Sequence, residues 1–320
     1  MQLRGSGQIP PATRHRFDPI RFWRRKRLVS QPRFTVLLPT HDRPEVLGYA
    51  IRSVLAQDFE DFELIVVGDG CAPETAELVA TFSDARIRWM DLSKAPGFGY
   101  ANRNVALAQT SGDLIAFLGH DNVYLPDHLS RMARHFTRDT VQFVYSRPLW
   151  IDDGGVVMPS YVNLQHPVAR QRFLTVANVL PASTVVYRRS AMDRAGMWPE
   201  DIDRNGDWDL WKRILSEFDS GPNLIHEREP TMLHFRADWR DPGRWMPPSM
   251  SYVAAMHSAG VYWPDGLDLN LDPDGALPQA QVWDRLEKDR TGVTQRLRHG
   301  TRLLQDAMAY NVTLDGNFSR

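Results

Sequence analysis

The chain alternates short apolar runs with segments whose apolar positions recur every three or four residues. The apolar runs are predicted to be buried β-strands and comprise residues 34–39, 62–67, 86–90 and 113–118. The periodic segments between them are predicted to be helices and comprise residues 44–57, 73–82, 101–109 and 126–136. Continuous apolar strands separated by amphipathic helices are typical of a mostly parallel open sheet with helices on both faces. This part of the chain therefore predicts a Rossmann-like α/β fold.

The strict alternation ends near residue 140. Strands are predicted at residues 142–151, 155–159, 183–189 and 230–235, with Gly154-Gly155 as a hairpin turn. An amphipathic helix is predicted at residues 207–218, and one or two C-terminal helices at residues 279–309. The loop after residue 235 contains Arg236, Trp239 and Arg240 and could cover a bound ligand.

Composition narrows the class of protein. An apolar fraction of 42% supports a buried core, and 38 basic against 39 acidic residues give no argument for nucleic acid as a partner. The one cysteine, Cys71, excludes a disulfide within the monomer and favours a reducing compartment. No apolar run approaches the length of a membrane span or a signal peptide. We therefore expect a cytoplasmic protein.

The N-terminal segment is locally basic. Residues 14–33 carry eight Arg and Lys residues against the single Asp18, with Ile20, Phe22, Trp23 and Leu28 between them. Such a segment can lie on an anionic membrane surface, which would make the protein peripheral on the inner membrane face. The alternatives are an arm that packs on its own domain and a solvated tail.

Polar residues follow three of the predicted strands directly. Residues 40–43 (Thr-His-Asp-Arg) follow the first strand, residues 68–70 (Gly-Asp-Gly) the second, and residues 119–122 (Gly-His-Asp-Asn) the fourth. Ligands of open α/β sheets bind outside the carboxyl ends of the strands. The three loops are therefore expected to converge on one binding site.

With these loops in place, the chain resembles the family 2 glycosyltransferases, inverting enzymes of the GT-A fold that use nucleotide sugars. Three segments carry the resemblance: VLLPTHDRPEVLGYAIRSVLAQDFEDFELIVVGDGCAPET, ANRNVALAQTSGDLIAFLGHDNVYLPDHL and NGDWDLWKRI. It covers roughly residues 33–236. Together with the patterns above, it predicts four parts: a basic N-terminal arm (1–32), a nucleotide-sugar-binding half (33–145), an acceptor and catalytic half (146–245) and a C-terminal helical extension (246–320).

The resemblance also implies which residues bind the donor. Asp69 matches the aspartate that accepts a hydrogen bond from the base, and an ionised carboxylate suits the imide N–H of uracil. Gly68 departs from the family, whose members usually carry a further aspartate there. A turn-forming aspartate before Gly70 is the alternative for Asp69. The other donor-binding residues implied are Pro39, Thr40, His41 and Arg43 in the first loop, and His120 and Asp121. Lys94 and Arg103 are the candidates for positive charge toward the diphosphate, although Arg103 could equally face outward on its helix.

A divalent cation, Mn²⁺ or Mg²⁺, is the implied cofactor. Asp121 matches the retained carboxylate of the family's metal motif, where a cation neutralises charge on the nucleotide diphosphate leaving group. His120 replaces the first carboxylate of that motif, and could bond the ribose or bind the metal. His234 matches a histidine that many GT-A enzymes bring to the same metal, although it could equally be structural. Asp121 and Asn122 could instead cap the following helix.

Asp207 matches the family's catalytic base. An acceptor hydroxyl must lose its proton as it attacks the anomeric carbon, and a carboxylate within hydrogen-bond reach can take it. Asp207 also opens a predicted helix, so a helix cap is the alternative, and Asp209 competes for either role.

The sequence therefore predicts an inverting glycosyltransferase that moves a sugar from a nucleotide diphosphate, preferably UDP, to a hydroxyl of a glycan or lipid-linked acceptor in polysaccharide biosynthesis. A catalytically inactive sugar-nucleotide-binding or glycan-binding protein is the alternative, because Gly68 and His120 replace carboxylates. A nucleotide-dependent oxidoreductase is disfavoured, because no Gly-x-Gly-x-x-Gly follows the first strand.

Overall fold

The computed structural model describes residues 31–218, 223–235, 253, 255–260 and 262–318. Most of the predicted basic arm, residues 1–30, and the loop with Arg236, Trp239 and Arg240 lie outside these residues. Within them, nine strands form one sheet with the order β3-β2-β1-β4-β8-β6-β9-β5, and β7 pairs with β6. The strands are β1 (Phe34–Thr40), β2 (Phe62–Asp69), β3 (Ile87–Leu92), β4 (Leu114–Phe117), β5 (Val123–Tyr124), β6 (Phe143–Ile151), β7 (Val157–Pro159), β8 (Val185–Arg188) and β9 (Leu224–Phe235).

The helices begin where the sequence offers start signals. Four of the α-helices have proline in their first turn, where the missing N–H would have no helical partner. The α-helices are α1 (Pro44–Leu55), α2 (Pro73–Ala80), α3 (Tyr100–Leu107), α4 (His128–Ala133), α5 (Pro167–Thr175), α6 (Arg189–Ala195), α7 (Gly206–Ser216), α8 (Pro278–Lys288) and α9 (Arg290–Phe318). Short 3₁₀ turns occur at Ala182–Thr184 and Asp265–Leu267.

The first four strands are parallel, and the order reverses at β1. The chain moves from β1 outward to β2 and β3, then returns to place β4 on the other side of β1. All four strands end at the same edge of the sheet. Such a reversal leaves a crevice between the loops that follow the two central strands. The fold thereby positions the loops after β1 and β4 beside each other.

The second half of the sheet is mixed. β8 runs antiparallel to both β4 and β6, whereas β6 and β9 are parallel and pair over most of their length. Each parallel pair of strands is paired over more residues than any antiparallel pair in the sheet. The predicted mostly parallel α/β sheet is therefore confirmed. The C-terminal helices α8 and α9 contribute Trp283 and Leu297 to a core cluster that also contains Leu149 of β6 and Leu233 of β9. The predicted C-terminal helical extension is thus two helices.

Several elements differ from the sequence prediction. β9 begins at Leu224 instead of residue 230, because irregular pairing with β6 between Glu227 and Met232 lets the strand continue through Pro230. The predicted strand 183–189 ends at Arg188, and α6 follows it. α5 was not predicted, because Phe173 is its one buried residue and no apolar stripe marks it.

In the described part of the chain, no helix is both long enough and apolar enough to cross a membrane.

Candidate active site

The loops after β2, β1 and β4 meet at one edge of the sheet. Thr40, the last residue of β1, pairs in register with Gly68 of β2, so Asp69 lies immediately beyond it. His120 follows β4, and its Nδ1 lies 3.0 Å from Oγ1 of Thr40. Both side chains are buried. This contact spans the crevice between β1 and β4, as predicted for loops at a switch point.

Asp69 organises the loop that follows β3. Its Oδ1 accepts hydrogen bonds from the backbone N–H of Ala95 (2.8 Å) and from Nδ2 of Asn102 (2.7 Å), while Oδ2 accepts one from Nζ of Lys94 (2.8 Å). Gly99 has a φ of +72°, and a Cβ there would lie 2.6 Å from Oδ2 of Asp69. The loop can therefore close around the carboxylate only because residue 99 is glycine. Lys94 and Asp69, both predicted donor-binding residues, form an ion pair.

The unusual glycine at position 68 has a steric reason. A Cβ on Gly68 would lie 2.3 Å from Cη2 of Trp89, because the indole of Trp89 in β3 fills that space. An aspartate cannot occupy this position without moving the indole. The Trp89 indole of the neighbouring strand β3 therefore occupies the space that the family's further aspartate would need.

Arg103 lies between the two halves of the site. Burial lowers the pKa of Arg103 to about 10, against the opposing influence of Tyr100, Asp207 and Asp69, so the guanidinium stays charged at neutral pH. Cation–π contacts place its charge near three aromatic rings, with ring centres 4.6–5.1 Å from the guanidinium carbon, namely those of Tyr100, Phe117 and Trp198. Arg103 thus interacts electrostatically with a donor-side carboxylate and with the predicted base.

Asp207 lies in the first turn of α7. The start of α7 is attached to α3, because the N–H of Gly206 donates to the hydroxyl of Tyr100 (2.9 Å). Oδ1 of Asp207 accepts the N–H of Trp208 (2.8 Å), and Oδ2 accepts a hydrogen bond from Nδ2 of Asn178 (3.3 Å). Burial raises the pKa of Asp207, and these hydrogen bonds and the charge of Arg103 oppose that rise.

Asp209, the competing carboxylate, is engaged elsewhere. It forms an ion pair with Arg213 one turn further along α7 (2.8 Å). Arg213 in turn donates to the carbonyl oxygens of residues 195–197, which follow α6. The arrangement gives Asp209 a role in joining α6 to α7 and leaves Asp207 beside Arg103.

The loop after β4 is fixed from two sides. Oγ of Ser183 accepts the N–H of Gly119 (2.9 Å) and a hydrogen bond from Nδ2 of Asn122 (3.1 Å). Oδ1 of Asn122 accepts the N–H of Phe235 at the end of β9 (3.2 Å). These bonds hold the backbone on both sides of Asp121, whose side chain is buried.

Sequence analysis missed the polar residues that hold the predicted ones in place. Each is a single Asn, Ser or Gln in an otherwise unremarkable segment, and its partner is at least 29 residues away in the chain. No local pattern therefore marks them. They are Asn102, which bonds Asp69, Asn178, which bonds Asp207, Ser183, which bonds Gly119, and Gln279, whose Nε2 donates to the carbonyl of Asp121 (3.3 Å).

Comparison with known proteins identifies the family. The family model described as Glycosyl transferase family 2 matches residues 35–196, half of the chain. The chain belongs to glycosyl transferase family 2. This confirms the predicted family and the prediction that the protein is a glycosyltransferase. The match includes Thr40, Asp69, Arg103 and Asp121, whereas Asp207 lies beyond it.

Relatives of this glycosyltransferase are distant. It is 25% identical to the uncharacterized glycosyltransferase YwdF of Bacillus subtilis, over 58% of this chain and 69% of that protein. It is 29% identical to the UDP-Glc:alpha-D-GlcNAc-diphosphoundecaprenol beta-1,3-glucosyltransferase WfgD of Escherichia coli, over 38% of this chain and 48% of that one. The crystal structure of TarS 1-349 from S. aureus superposes with a TM-score of 0.51 and 18% identity, over 63% of this chain and 60% of that one. The chain thus spans about half of WfgD, and the likeness to TarS confirms the predicted GT-A fold.

The residues of this family 2 member fit a cation only in part. Within the described residues, no group of three or more His, Cys, Asp or Glu side chains lies close enough together to hold a metal ion. Asp121 can offer a hard oxygen ligand, and Mg²⁺ is commonly bound by one or two carboxylates together with phosphate oxygens of a substrate. The described residues therefore fit a cation that would bind together with the diphosphate of a substrate, with Asp121 as its protein ligand. They do not form a site that encloses a cation with protein ligands alone.

Three predicted site residues contact side chains that have no expected role in donor binding. Arg43 forms an ion pair with Glu45 in the first turn of α1, and His41 is exposed beside Asp42, with 3.9 Å between Nδ1 and Oδ2. His234 of β9 packs edge-on against Trp150 of β6, with ring centres 4.2 Å apart. The roles of these residues in this glycosyltransferase stay predictions, as does that of Pro39 at the end of β1.

Proposed function

We propose that this family 2 member is an inverting glycosyltransferase that moves a sugar from a UDP-sugar to a hydroxyl of a glycan or lipid-linked acceptor. The observation that carries the proposal is the position of Arg103, whose charge interacts with both Asp69 and Asp207. A carboxylate suited to a nucleotide base and a carboxylate suited to an acceptor hydroxyl therefore face one cationic centre. WfgD, by its name, uses UDP-Glc and a diphosphoundecaprenol-linked sugar, and TarS has been crystallised with UDP-GlcNAc. Both names support this donor.

The donor occupies the crevice between the loops after β1, β2 and β4. Oδ2 of Asp69 retains acceptor capacity beside its bond to Lys94 and takes the imide N–H of uracil. Thr40 and His120, which contact each other across the crevice, line the pocket for the ribose. Pro39, His41 and Arg43 lie at the outer side of the ribose. Lys94 and Arg103 supply positive charge toward the diphosphate.

Transfer is a single displacement. The acceptor oxygen attacks the anomeric carbon from the face opposite the UDP, the carbon–oxygen bond to the diphosphate breaks, and Asp207 takes the proton of the acceptor hydroxyl. Its raised pKa improves Asp207 as a proton acceptor, since a carboxylate of ordinary pKa is a weak base near neutral pH. A Mn²⁺ or Mg²⁺ ion held by Asp121, with His234 as a second ligand, would stabilise the negative charge of the departing diphosphate.

The setting we propose is polysaccharide assembly in the cytoplasm. The enzyme would work on the inner membrane face if its acceptor is lipid-linked, and the basic segment at residues 14–33 provides charge for that contact.

Nucleotide binding tests the donor half of the proposal. In a thermal-shift assay we expect UDP with Mn²⁺ to raise the melting temperature more than UDP alone, and more than GDP or dTDP. Asp121→Ala should abolish the metal-dependent part, because it removes the carboxylate proposed to hold the cation. Asp139→Ala, at a fully exposed carboxylate, is the matched control and should respond like wild type. Absence of a shift with every nucleotide would contradict the proposed function.

Transfer separates an enzyme from an inactive sugar-nucleotide-binding protein. We expect wild type to move label from a UDP-sugar into a polyprenyl-diphosphate-linked sugar, and Asp207→Asn to bind UDP normally while losing about 10²–10⁴-fold in transfer rate. Tight UDP binding without transfer to any hydroxyl acceptor would favour the inactive alternative.

A further inference from the structure

Asn178 is the one side chain, among the described residues, that donates a hydrogen bond to the carboxylate of Asp207. It lies between α5 and the 3₁₀ turn Ala182–Thr184, in a segment for which sequence analysis assigned no function. Its Nδ2 lies 3.3 Å from Oδ2 of Asp207, and its Oδ1 accepts the backbone N–H of Leu180 (3.1 Å).

The second of these bonds fixes the direction of the first. The N–H of Leu180 can only donate, so the oxygen of the Asn178 amide must face it, and the NH₂ group must face Asp207. An NH₂ group donates to an ionised carboxylate oxygen but cannot accept a proton from a protonated one. Asn178 is therefore oriented to favour the ionised form of Asp207, against the burial that favours the neutral form.

The same segment reaches the donor side of the site. Five residues after Asn178, Ser183 bonds the N–H of Gly119 and the amide of Asn122, on either side of Asp121. One short piece of chain thus contacts the predicted base at one end and the diphosphate-side loop at the other. A change at Asn178 would act on Asp207 without touching a donor-binding residue.

We propose that Asn178 is a positioning residue for the catalytic base, which holds the carboxylate of Asp207 ionised and turned toward the acceptor. The inference rests on the proposed function, because it takes Asp207 as the base. It adds a residue from the acceptor half of the chain to the machinery of proton transfer.

Two variants isolate this contact. Asn178→Ala removes both of its bonds, and Asn163→Ala is a matched control, because Oδ1 of Asn163 accepts the N–H of Gln165 two residues on (3.0 Å) in the same kind of turn. Asn178→Asp keeps the turn but replaces the donor by a second carboxylate beside Asp207, and it serves if the alanine variant fails to fold.

Titration of the Asp207 carboxyl by ¹³C NMR is the direct measurement, with the signal assigned by its absence in Asp207→Asn. We expect Asn178→Ala to move the midpoint upward by about half to one pH unit, and Asn178→Asp to give a pair whose upper step lies above the wild-type midpoint. Asn163→Ala should leave the midpoint in place. A wild-type midpoint in both Asn178 variants would overturn the proposal, whether or not an acceptor is known.

Kinetics distinguish the two proposals. In Asn178→Ala we expect the acidic limb of the pH profile to shift upward, kcat on that limb to fall by about three- to tenfold, and the KM for the UDP-sugar to stay unchanged. A fall in donor affinity with an unshifted profile would assign Asn178 a merely structural role. If Asp207→Asn transfers sugar at the wild-type rate, the proposed base is wrong, while the NMR result still reports whether Asn178 holds the carboxylate.

Discussion

Single side chains in this site are placed by partners that are distant in sequence. Asp207 could be predicted as a base from its motif, yet its surroundings depend on Asn178, Arg103 and the contact between Gly206 and Tyr100. Burial that raises the pKa of Asp207 improves it as a base and at the same time makes its ionised form unfavourable in the folded state. Function and stability are therefore opposed at this residue.

Asp207→Asn should stabilise the protein in a pH-dependent way. Because the folded-state pKa lies above the unfolded value, ionisation destabilises the fold at pH values above the folded pKa, and this effect disappears below the unfolded pKa of about 4. We expect the variant to melt at a higher temperature than wild type near pH 7, and at the same temperature below about pH 3. Asp209→Asn is the control, and should not melt higher, since it loses the ion pair with Arg213. Equal melting temperatures of Asp207→Asn and wild type throughout this range would contradict the argument.

Site residues that directly follow a strand could be predicted from the sequence, because the end of a strand determines the edge of the sheet at which the next side chains lie. Thr40, Asp69 and His120 were found in this way, and the structure brings their loops together. The sequence could not explain Gly68, since the Trp89 indole that excludes a side chain there belongs to the next strand. Contacts across the sheet have no local pattern.

Among the elements, the segment from Asn178 to Ser183 contacts both halves of the site through its hydrogen bonds to Asp207, Gly119 and Asn122. The sequence predicts no element at residues 178–182, because they lack periodic apolar positions, and it assigns Ser183 to a strand although the structure places it in a 3₁₀ turn. Helices with a clear apolar stripe, such as α1 and α7, were predicted within two residues of their ends. Two kinds of element give weak sequence signals. One is held by a few polar hydrogen bonds, as this segment is, and the other by a single buried apolar residue, as α5 is.

Ser183→Ala should loosen the loop that carries Asp121. The hydroxyl is fully buried and bonds both Gly119 and Asn122, so its removal leaves a buried N–H without its acceptor, at a cost of about 1–3 kcal/mol. We expect a lower urea midpoint and several-fold weaker UDP binding in the presence of Mn²⁺. Thr184→Ser, which keeps the neighbouring hydroxyl bonded to Pro181, is the control for changes in the same turn. Wild-type UDP affinity in Ser183→Ala would show that the loop holds its shape without this bond.

At the scale of the whole molecule, a partly buried ion network joins the C-terminal helix to the sheet. Arg298 of α9 bonds both oxygens of Asp127 and the carbonyl of Pro230 in β9, and Arg302 pairs with Glu229. Further ion pairs join β9 to α4. The buried Glu227 of β9 contacts Arg131 of α4, and Arg134 and His135 just after that helix. The sequence suggested C-terminal helices with scattered charge, and could not indicate that this charge is paired across 73 to 171 residues of chain.

Glu227→Gln tests this network. Burial alone would raise the pKa of Glu227, but hydrogen bonds from His135, the N–H of Glu229 and Arg134 outweigh it and lower the pKa to about 2. A carboxyl group whose folded-state pKa is lowered stabilises the fold above its unfolded pKa of about 4.5, and this stability is lost as pH falls toward about 2. We therefore expect the variant to lose about 3 kcal/mol of unfolding free energy near pH 7, measured by urea denaturation.

The pH dependence of that loss distinguishes the network from a simple packing defect. The difference between wild type and Glu227→Gln should shrink by about 1.4 kcal/mol for each pH unit below about 4.5. Glu77→Gln, at an exposed position of α2, should match wild type at every pH. A difference that stays the same down to about pH 3 would mean that Glu227 contributes through shape and hydrogen bonding alone. The contacts of Glu227 with Arg131 and Arg134 would then hold α4 against β9 without a net electrostatic contribution.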